Sequence, residues 1–302
     1  MMAPIVLFVY NRLDHVMRVI EHLSACELAS ESILYVVSDG AKPGDERKVE
    51  DVREYLKTIS GFVDVIVEER ESNYGIEESE VEAITRLINI HGKLIILEDD
   101  LLVGKYFLDY MNKALDKYVN EKDVFYISGY QFGYIKNMPQ TAFSKLSCTW
   151  GWATWKDRWD KFEMPPIHPE EIYNNPQRMY EFCYDNAFKD FGTMLVSQAE
   201  NNEFTWDICW YINMFNNGLV LLPRQTLVYN MGFDGSGVHG DNSGSPISMG
   251  KVSNSKIMFY PDEISEKCEY RKMMAKALKR WTLKRKLKGR VKRCMLKIFA
   301  KK

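Results

Sequence analysis

Short apolar runs alternate with stretches of helical periodicity through the first hundred residues. Ile5–Tyr10 and Ile33–Val37 read as buried strands, and Val63–Val67 as a third. Between them the spacing predicts a helix from His15 to about Ala25, capped by Asp14, with Val16, Val19, Ile20 and Leu23 on one face. Further helices are predicted from Asp45 to about Ile59 and from Glu77 to Ile90. The run Leu94-Ile95-Ile96-Leu97 then delivers Glu98, Asp99 and Asp100 where a strand leaves its sheet. This β-α-β-α-β-α-β order predicts an α/β fold with a mostly parallel sheet and helices on both faces. Ligands of such sheets sit beyond the carboxyl ends of the strands. Tyr10-Asn11-Arg12, Ser38-Asp39-Gly40 and Glu98-Asp99-Asp100 all fall there, so they predict one pocket.

The second half is less regular. A helix is predicted from Tyr106 to about Tyr118, a strand over Val124–Gly129, and a loop from Phe132 to Lys145. Trp150, Trp152, Trp155 and Trp159 crowd into ten residues. Rings so close together either form an aromatic core or offer an indole face to a sugar; Trp150 and Trp152 are the candidates for the second role. A polar helical stretch from Asp157 to Asn202 precedes a helix from Thr205 to about Asn216, with Asp207 in its first turn. A carboxylate there suits the helix N-terminus, either as a cap or as a base. Strands are predicted at Gly218–Pro223 and Thr226–Asn230. The glycine-rich segment Gly232–Gly240 follows, either a flexible hairpin tip or a loop whose backbone approaches a phosphate.

Charge changes the picture at two places. The formal net charge of −2 hides a tail from Arg271 to Lys302 without Asp or Glu, where basic residues recur and apolar residues fall at helical spacing. Such a tail fits an anionic membrane surface, and no nucleic-acid partner is expected. The expected organisation is a domain over residues 1–265, divided near 103 into nucleotide-sugar and acceptor halves, and a basic amphipathic tail over 266–302. At the strand exit, adjacent like charges favour a cation such as Mn2+ or Mg2+. A dinucleotide site is excluded because Asn11-Arg12-Leu13-Asp14 lacks glycine, and no phosphate loop of the Walker type is present. The six cysteines form no CxxC pair, and no run is long enough to span a bilayer. With no signal peptide either, a cytoplasmic protein, peripheral at a membrane, is expected.

Glu98-Asp99-Asp100 on its buried strand, Arg12 after the first strand and Asp39 after the second resemble the nucleotide-sugar half of GT-A glycosyltransferases. The pattern is similar to the N-acetylglucosaminyltransferase I family and its bacterial relatives. That resemblance implies a metal ligand at Asp100, a ribose or nucleotide contact at Asp99, and a sugar contact at Glu98. It implies that Arg12 and Asp39 hold the nucleotide, with Tyr10 and Asn73 (in Asn73-Tyr74-Gly75) beside them. Trp206-Asp207 matches the family's Trp-Asp, which implies a catalytic base at Asp207 and a donor contact at Trp206. Gly235-Ser236-Gly237-Val238-His239 resembles the family's diphosphate-closing loop with its serine displaced, so Ser236 and His239 enter as candidate donor contacts. The implied activity is inverting, metal-dependent transfer from a UDP-sugar, such as an N-acetylhexosamine donor, to a saccharide or lipid-linked saccharide. A nucleotidyltransferase or a non-catalytic sugar- or nucleotide-binding protein are the rival readings.

Overall fold

The computed structural model describes residues 2–146, 148–235, 251–280 and 282. Its first half follows the apolar pattern closely. Strands β1 (Ile5–Val9), β2 (Ile33–Ser38), β3 (Asp64–Glu69) and β4 (Lys93–Glu98) are joined by helices α1 (Leu13–Ser24), α2 (Glu46–Leu56) and α3 (Gly75–His91). All three pairings among these strands are parallel, with Ile5 level with both Leu34 and Ile95. Alternate residues of β1 enter different cores, Ile5, Leu7 and Val9 on one face and Val6 and Phe8 on the other. Both faces are covered, which is why these strands read as unbroken apolar runs. Helices α1 and α2 pack on one face, α3 on the other. Gly92 ends α3 at φ 77°, a left-handed cap that glycine adopts without a Cβ penalty.

The sheet continues with β6 (Val124–Ser128), β7 (Thr141–Ser144), β8 (Trp152–Trp155) and β9 (Leu219–Pro223), giving the order β3-β2-β1-β4-β8-β6-β9-β7. Neither β7 nor β8 was expected; β7 falls in the predicted loop and β8 in the tryptophan stretch. Strand β8 runs antiparallel between β4 and β6, placing Ile96 opposite Trp152. A second two-stranded sheet joins β5 (Leu101–Val103) to β10 (Val228–Asn230). Because β5 turns back at once to pair elsewhere, Asp99 and Asp100 are held in a turn between two strands. Helix α4 (Phe107–Lys117) fills the α1 face, and α9 (Trp206–Asn217) fills the α3 face. Short helices α5 (Lys156–Trp159), α6 (Glu170–Tyr173), α7 (Pro176–Phe182) and α8 (Asp190–Asn201) lie between β8 and α9 in the chain.

One local expectation is corrected. Asp14 is not the cap of α1: the helix starts at Leu13 with Arg12 at its N-cap, and Asp14 lies within the first turn. The start of the expected tail packs on the domain. A helix over 268–280 buries Met274, Ala275 and Leu278 in the α3-side core. Arg271 pairs with Asp185 and Glu266, and Glu266 also accepts from Ser144 Oγ and the Lys145 N–H. The first apolar stripe of the tail is therefore spent on the domain itself. Residues 283–302 and Trp281 lie outside the described residues. No helix among the described residues is long and apolar enough to cross a membrane.

Candidate active site

At the exit of β4 the carboxylates already have an internal cation. The Arg12 guanidinium pairs with Asp99, donating from Nη2 and from Nε (3.3 Å to Oδ2), and reaches Asp100 Oδ2 at 3.1 Å. The like-charge repulsion read from the sequence is relieved by this arginine, which engages both carboxylates. The relief is incomplete. Asp100 Oδ1 and Arg12 Nη1 are buried without a hydrogen-bond partner among the described residues. Burial raises the Asp100 carboxyl above its ordinary value, Arg12 opposes that, and Asp99 adds to it. Glu98, half-buried beside them, is pushed well above the carboxylate range by desolvation and then by Asp100 and Asp99. The turn after β10 presses close here. The Met231 N–H donates to the Asp100 carbonyl at 2.9 Å, and a Cβ on Gly232 would lie 2.2 Å from Asp100 Oδ2, so a larger residue there would displace the Asp100 carboxylate.

A single orphaned carboxylate oxygen suits the one or two protein ligands that a hard divalent cation takes when substrate phosphates supply others. No group of three His, Cys, Asp or Glu side chains forms a metal cage among the described residues.

At the exit of β2, Asp39 has a different job from the one expected. Its Oδ1 accepts the N–H groups of Gly40 and Tyr74; its Oδ2 accepts Asn73 Nδ2 and the Gly75 N–H, all at 2.9 Å. Asn73 Nδ2 also donates to the Gly40 carbonyl at 2.8 Å. Asp39 and Asn73 thus tie the β2 exit to the start of α3 and have little capacity left for a nucleotide. Tyr10 Oη donates to Asp45 at 3.1 Å and accepts the Lys42 N–H at 2.9 Å, bracing the entry to α2.

The tryptophans differ in burial. Trp152 is 1% exposed and offers no face to a sugar. It stacks on Trp206 with centroids 5.7 Å apart and meets Trp210 at 5.3 Å and Trp159 at 6.0 Å. The Trp206 ring is buried in the same cluster, so it anchors α9 rather than touching a donor. Trp150 stays half-buried, edge-on to Tyr130 at 4.7 Å and to Phe233 at 5.8 Å.

This aromatic anchor positions Asp207 in the first turn of α9. Its Oδ1 accepts Thr205 Oγ1 at 2.5 Å and the Ile208 N–H at 2.9 Å, while no donor among the described residues bonds Oδ2. Two carboxyls missed in the sequence face it from α3. Glu77 Oε2 accepts the Trp206 N–H at 2.5 Å. Burial, and then the Asp207 charge, push Glu77 up to about 7. Glu80 is 1% exposed with both oxygens unpartnered, and burial plus Glu98, Glu77, Asp207 and Asp100 hold its carboxyl well above the usual range. A signal existed: Glu80 precedes Ala83 and Ile84 at helical spacing, a carboxyl on an apolar stripe.

A cleft of about 460 Å³ opens at the start of α1, lined by Asn11, Arg12, His15, Arg18 and Asp234 among others. His15 Nε2 lies 3.3 Å from Asp234 Oδ2, closing one side. Ser236 and His239 lie outside the described residues.

No family model and no curated protein matches the chain. Among solved structures it is similar to Staphylococcus aureus TarS, at 13% identity and TM-score 0.42, over 78% of this chain and 37% of that one. It is also similar to TarS 1–349, at 12% identity and TM-score 0.43, over 78% of this chain and 61% of that one. A third is the mannosyltransferase PcManGT from Pyrobaculum calidifontis, solved with GDP-Man and Mn2+, at 9% identity and TM-score 0.39, over 70% of this chain and 69% of that one. The chain therefore spans little more than a third of TarS and under two-thirds of its shorter form. Likeness this remote assigns neither a family nor an activity to the chain.

Proposed function

We propose that this chain is an inverting glycosyltransferase of GT-A type that moves a sugar from a UDP-sugar to a saccharide hydroxyl. The observation that supports it most is a juxtaposition. The carboxylate turn at the end of β4 and the carboxylate at the start of α9 share one acidic neighbourhood, since Asp207 and Asp100 both raise Glu98 and Glu80. One side carries an unpartnered Asp100 oxygen for a cation. The other carries an Asp207 oxygen open to accept a proton.

In this reading the acceptor hydroxyl lies against Asp207 Oδ2, which takes its proton as the oxygen attacks the anomeric carbon. The new carbon–oxygen bond forms as the bond to the diphosphate breaks, and the nucleoside diphosphate leaves. Asp100 and the diphosphate would hold Mn2+ or Mg2+, which offsets the charge growing on the leaving group. Arg12 and the N–H groups at the start of α1 add positive potential on the same edge. Trp150, the less buried indole of the pair, is the remaining platform for a pyranose face.

The test is a screen of UDP-glucose, UDP-N-acetylglucosamine, UDP-galactose and GDP-mannose, with Mn2+ and a panel of saccharide acceptors, read as nucleoside diphosphate released. Release that needs both metal and acceptor supports transfer. Cleavage between the phosphates would instead indicate a nucleotidyl reaction, and binding without turnover a receptor; either result overturns the proposal.

A further inference from the structure

We infer that Glu77 is a positioning residue for Asp207, capping α9 from another helix and so fixing the proposed base against the donor half. The inference rests on the reading of Asp207 as that base. Helix α9 needs such a cap. Its N-cap residue, Thr205, makes no side-chain capping bond, because Thr205 Oγ1 is turned to Asp207 Oδ1. The first N–H of the helix, that of Trp206, goes instead to Glu77 Oε2 across 129 residues of chain. A carboxylate at this end also meets the positive end of the helix.

Glu77 is itself held. It lies in the first turn of α3, whose entry is tied to β2 by the three bonds that Asp39 accepts from Asn73, Tyr74 and Gly75. A continuous path therefore runs from the β2 exit through Asp39, residues 73–75 and Glu77 to Trp206 and its neighbour Asp207. The groups facing Glu77 are Asp207 and Cys209 on α9 and Glu80 on its own helix. No ion pair to Glu77 exists among the described residues, so its ionised form is favoured only by the Trp206 N–H and by the N-terminal ends of α9 and of its own helix. Protonation weakens the acceptor and loosens the cap, which makes alignment of Asp207 sensitive to pH.

Two readouts test this on the full-length protein. The first uses 15N-tryptophan labelling and follows the Trp206 backbone amide, identified by its loss in Trp206→Phe. The amide proton should move downfield as Glu77 ionises, with a midpoint near 7, and that inflection should vanish in Glu77→Gln. An amide that does not titrate in the wild type, or an inflection that survives in Glu77→Gln, overturns the inference without any activity being measured. The second is kinetic. Glu77→Ala should lower kcat by on the order of tenfold to a hundredfold with donor KM unchanged, as for a misplaced reacting group. Glu77→Gln, which still accepts, should restore part of kcat and flatten its pH dependence near neutrality. Unchanged kcat in Glu77→Ala contradicts the positioning role. Absence of transfer by the wild type as well defeats the functional reading instead, and leaves the amide titration standing.

Discussion

Acid is handled in opposite ways at two neighbouring places in the molecule. At the end of β4, Asp99 and Asp100 share the guanidinium of Arg12. On α3, Glu80 is buried more completely but has no partner among the described residues, and its neighbours are Glu77, Glu98 and Asp207. The first arrangement offsets carboxylate charge with a fixed guanidinium and leaves one Asp100 oxygen unpartnered among the described residues. The second keeps protons, because a buried carboxyl among carboxyls stays neutral. A transferase of the proposed kind needs both: fixed negative charge for a cation, and an environment in which one carboxylate accepts a proton.

The largest expected effect comes from Asp207. Asp207→Asn should cut transfer by a factor on the order of a hundred or more, as for loss of a general base, while donor binding stays near normal. Near-normal transfer would reduce Asp207 to a turn residue in α9.

Arg12→Ala breaks the first arrangement. It leaves Asp99 and Asp100 close together without their cation, at a cost of about 3 kcal/mol. Added Mn2+ should recover part of that loss in a thermal melt, since an ion that binds only the folded state stabilises it. No recovery would argue that Asp100 does not take a cation.

Glu80→Gln sharpens the second arrangement through its pH dependence. The Glu80 carboxyl sits well above its ordinary 4.5 in the fold, so above that value the folded chain holds a proton that the unfolded chain has lost. Stability from this group is full below 4.5 and falls as pH rises towards the folded value. Glu80→Gln should therefore melt close to wild type near pH 4 and above it at pH 8, by about 2–4 °C per kcal/mol recovered. A variant less stable than wild type at pH 8 would mean that Glu80 is ionised and paired.

The smallest effect concerns the tail. Because Met274 and Leu278 belong to the core, truncation after Thr282, which keeps them, should lower the melting temperature far less than truncation before Arg271. The same truncation should abolish the binding to anionic vesicles expected from the basic tail, measured by co-sedimentation at low salt. Vesicle binding that survives truncation would place any membrane contact elsewhere.

What the sequence disclosed depended on how local the cause was. The parallel half was legible because strands covered on both faces must be apolar throughout, and the intervening helices carry their own period. Strand β7 was hidden because Thr141 and Ser144 flank a short core that reads as loop. Strand β8 was hidden because its tryptophans read either as an aromatic core or as a sugar platform, and neither reading announces a strand; Trp152 is core. The site residues show the same divide. Residue types at the strand exits could be read, yet their partners lay 34 to 88 residues away, Asp39 with Asn73 and Arg12 with Asp100. Spending Asp39 on the entry to α3 is a tertiary event that no local pattern announces.

The account turns on Asp100 holding a cation for a nucleotide diphosphate, and calorimetric titration of UDP with and without Mn2+ tests it most directly. Wild-type protein should bind UDP in a metal-dependent way, and Asp100→Asn should lose the metal-dependent part while its melting temperature changes little, since no unpaired charge is created. Metal-dependent binding that is undiminished in Asp100→Asn, or wild-type binding indifferent to Mn2+, would contradict it.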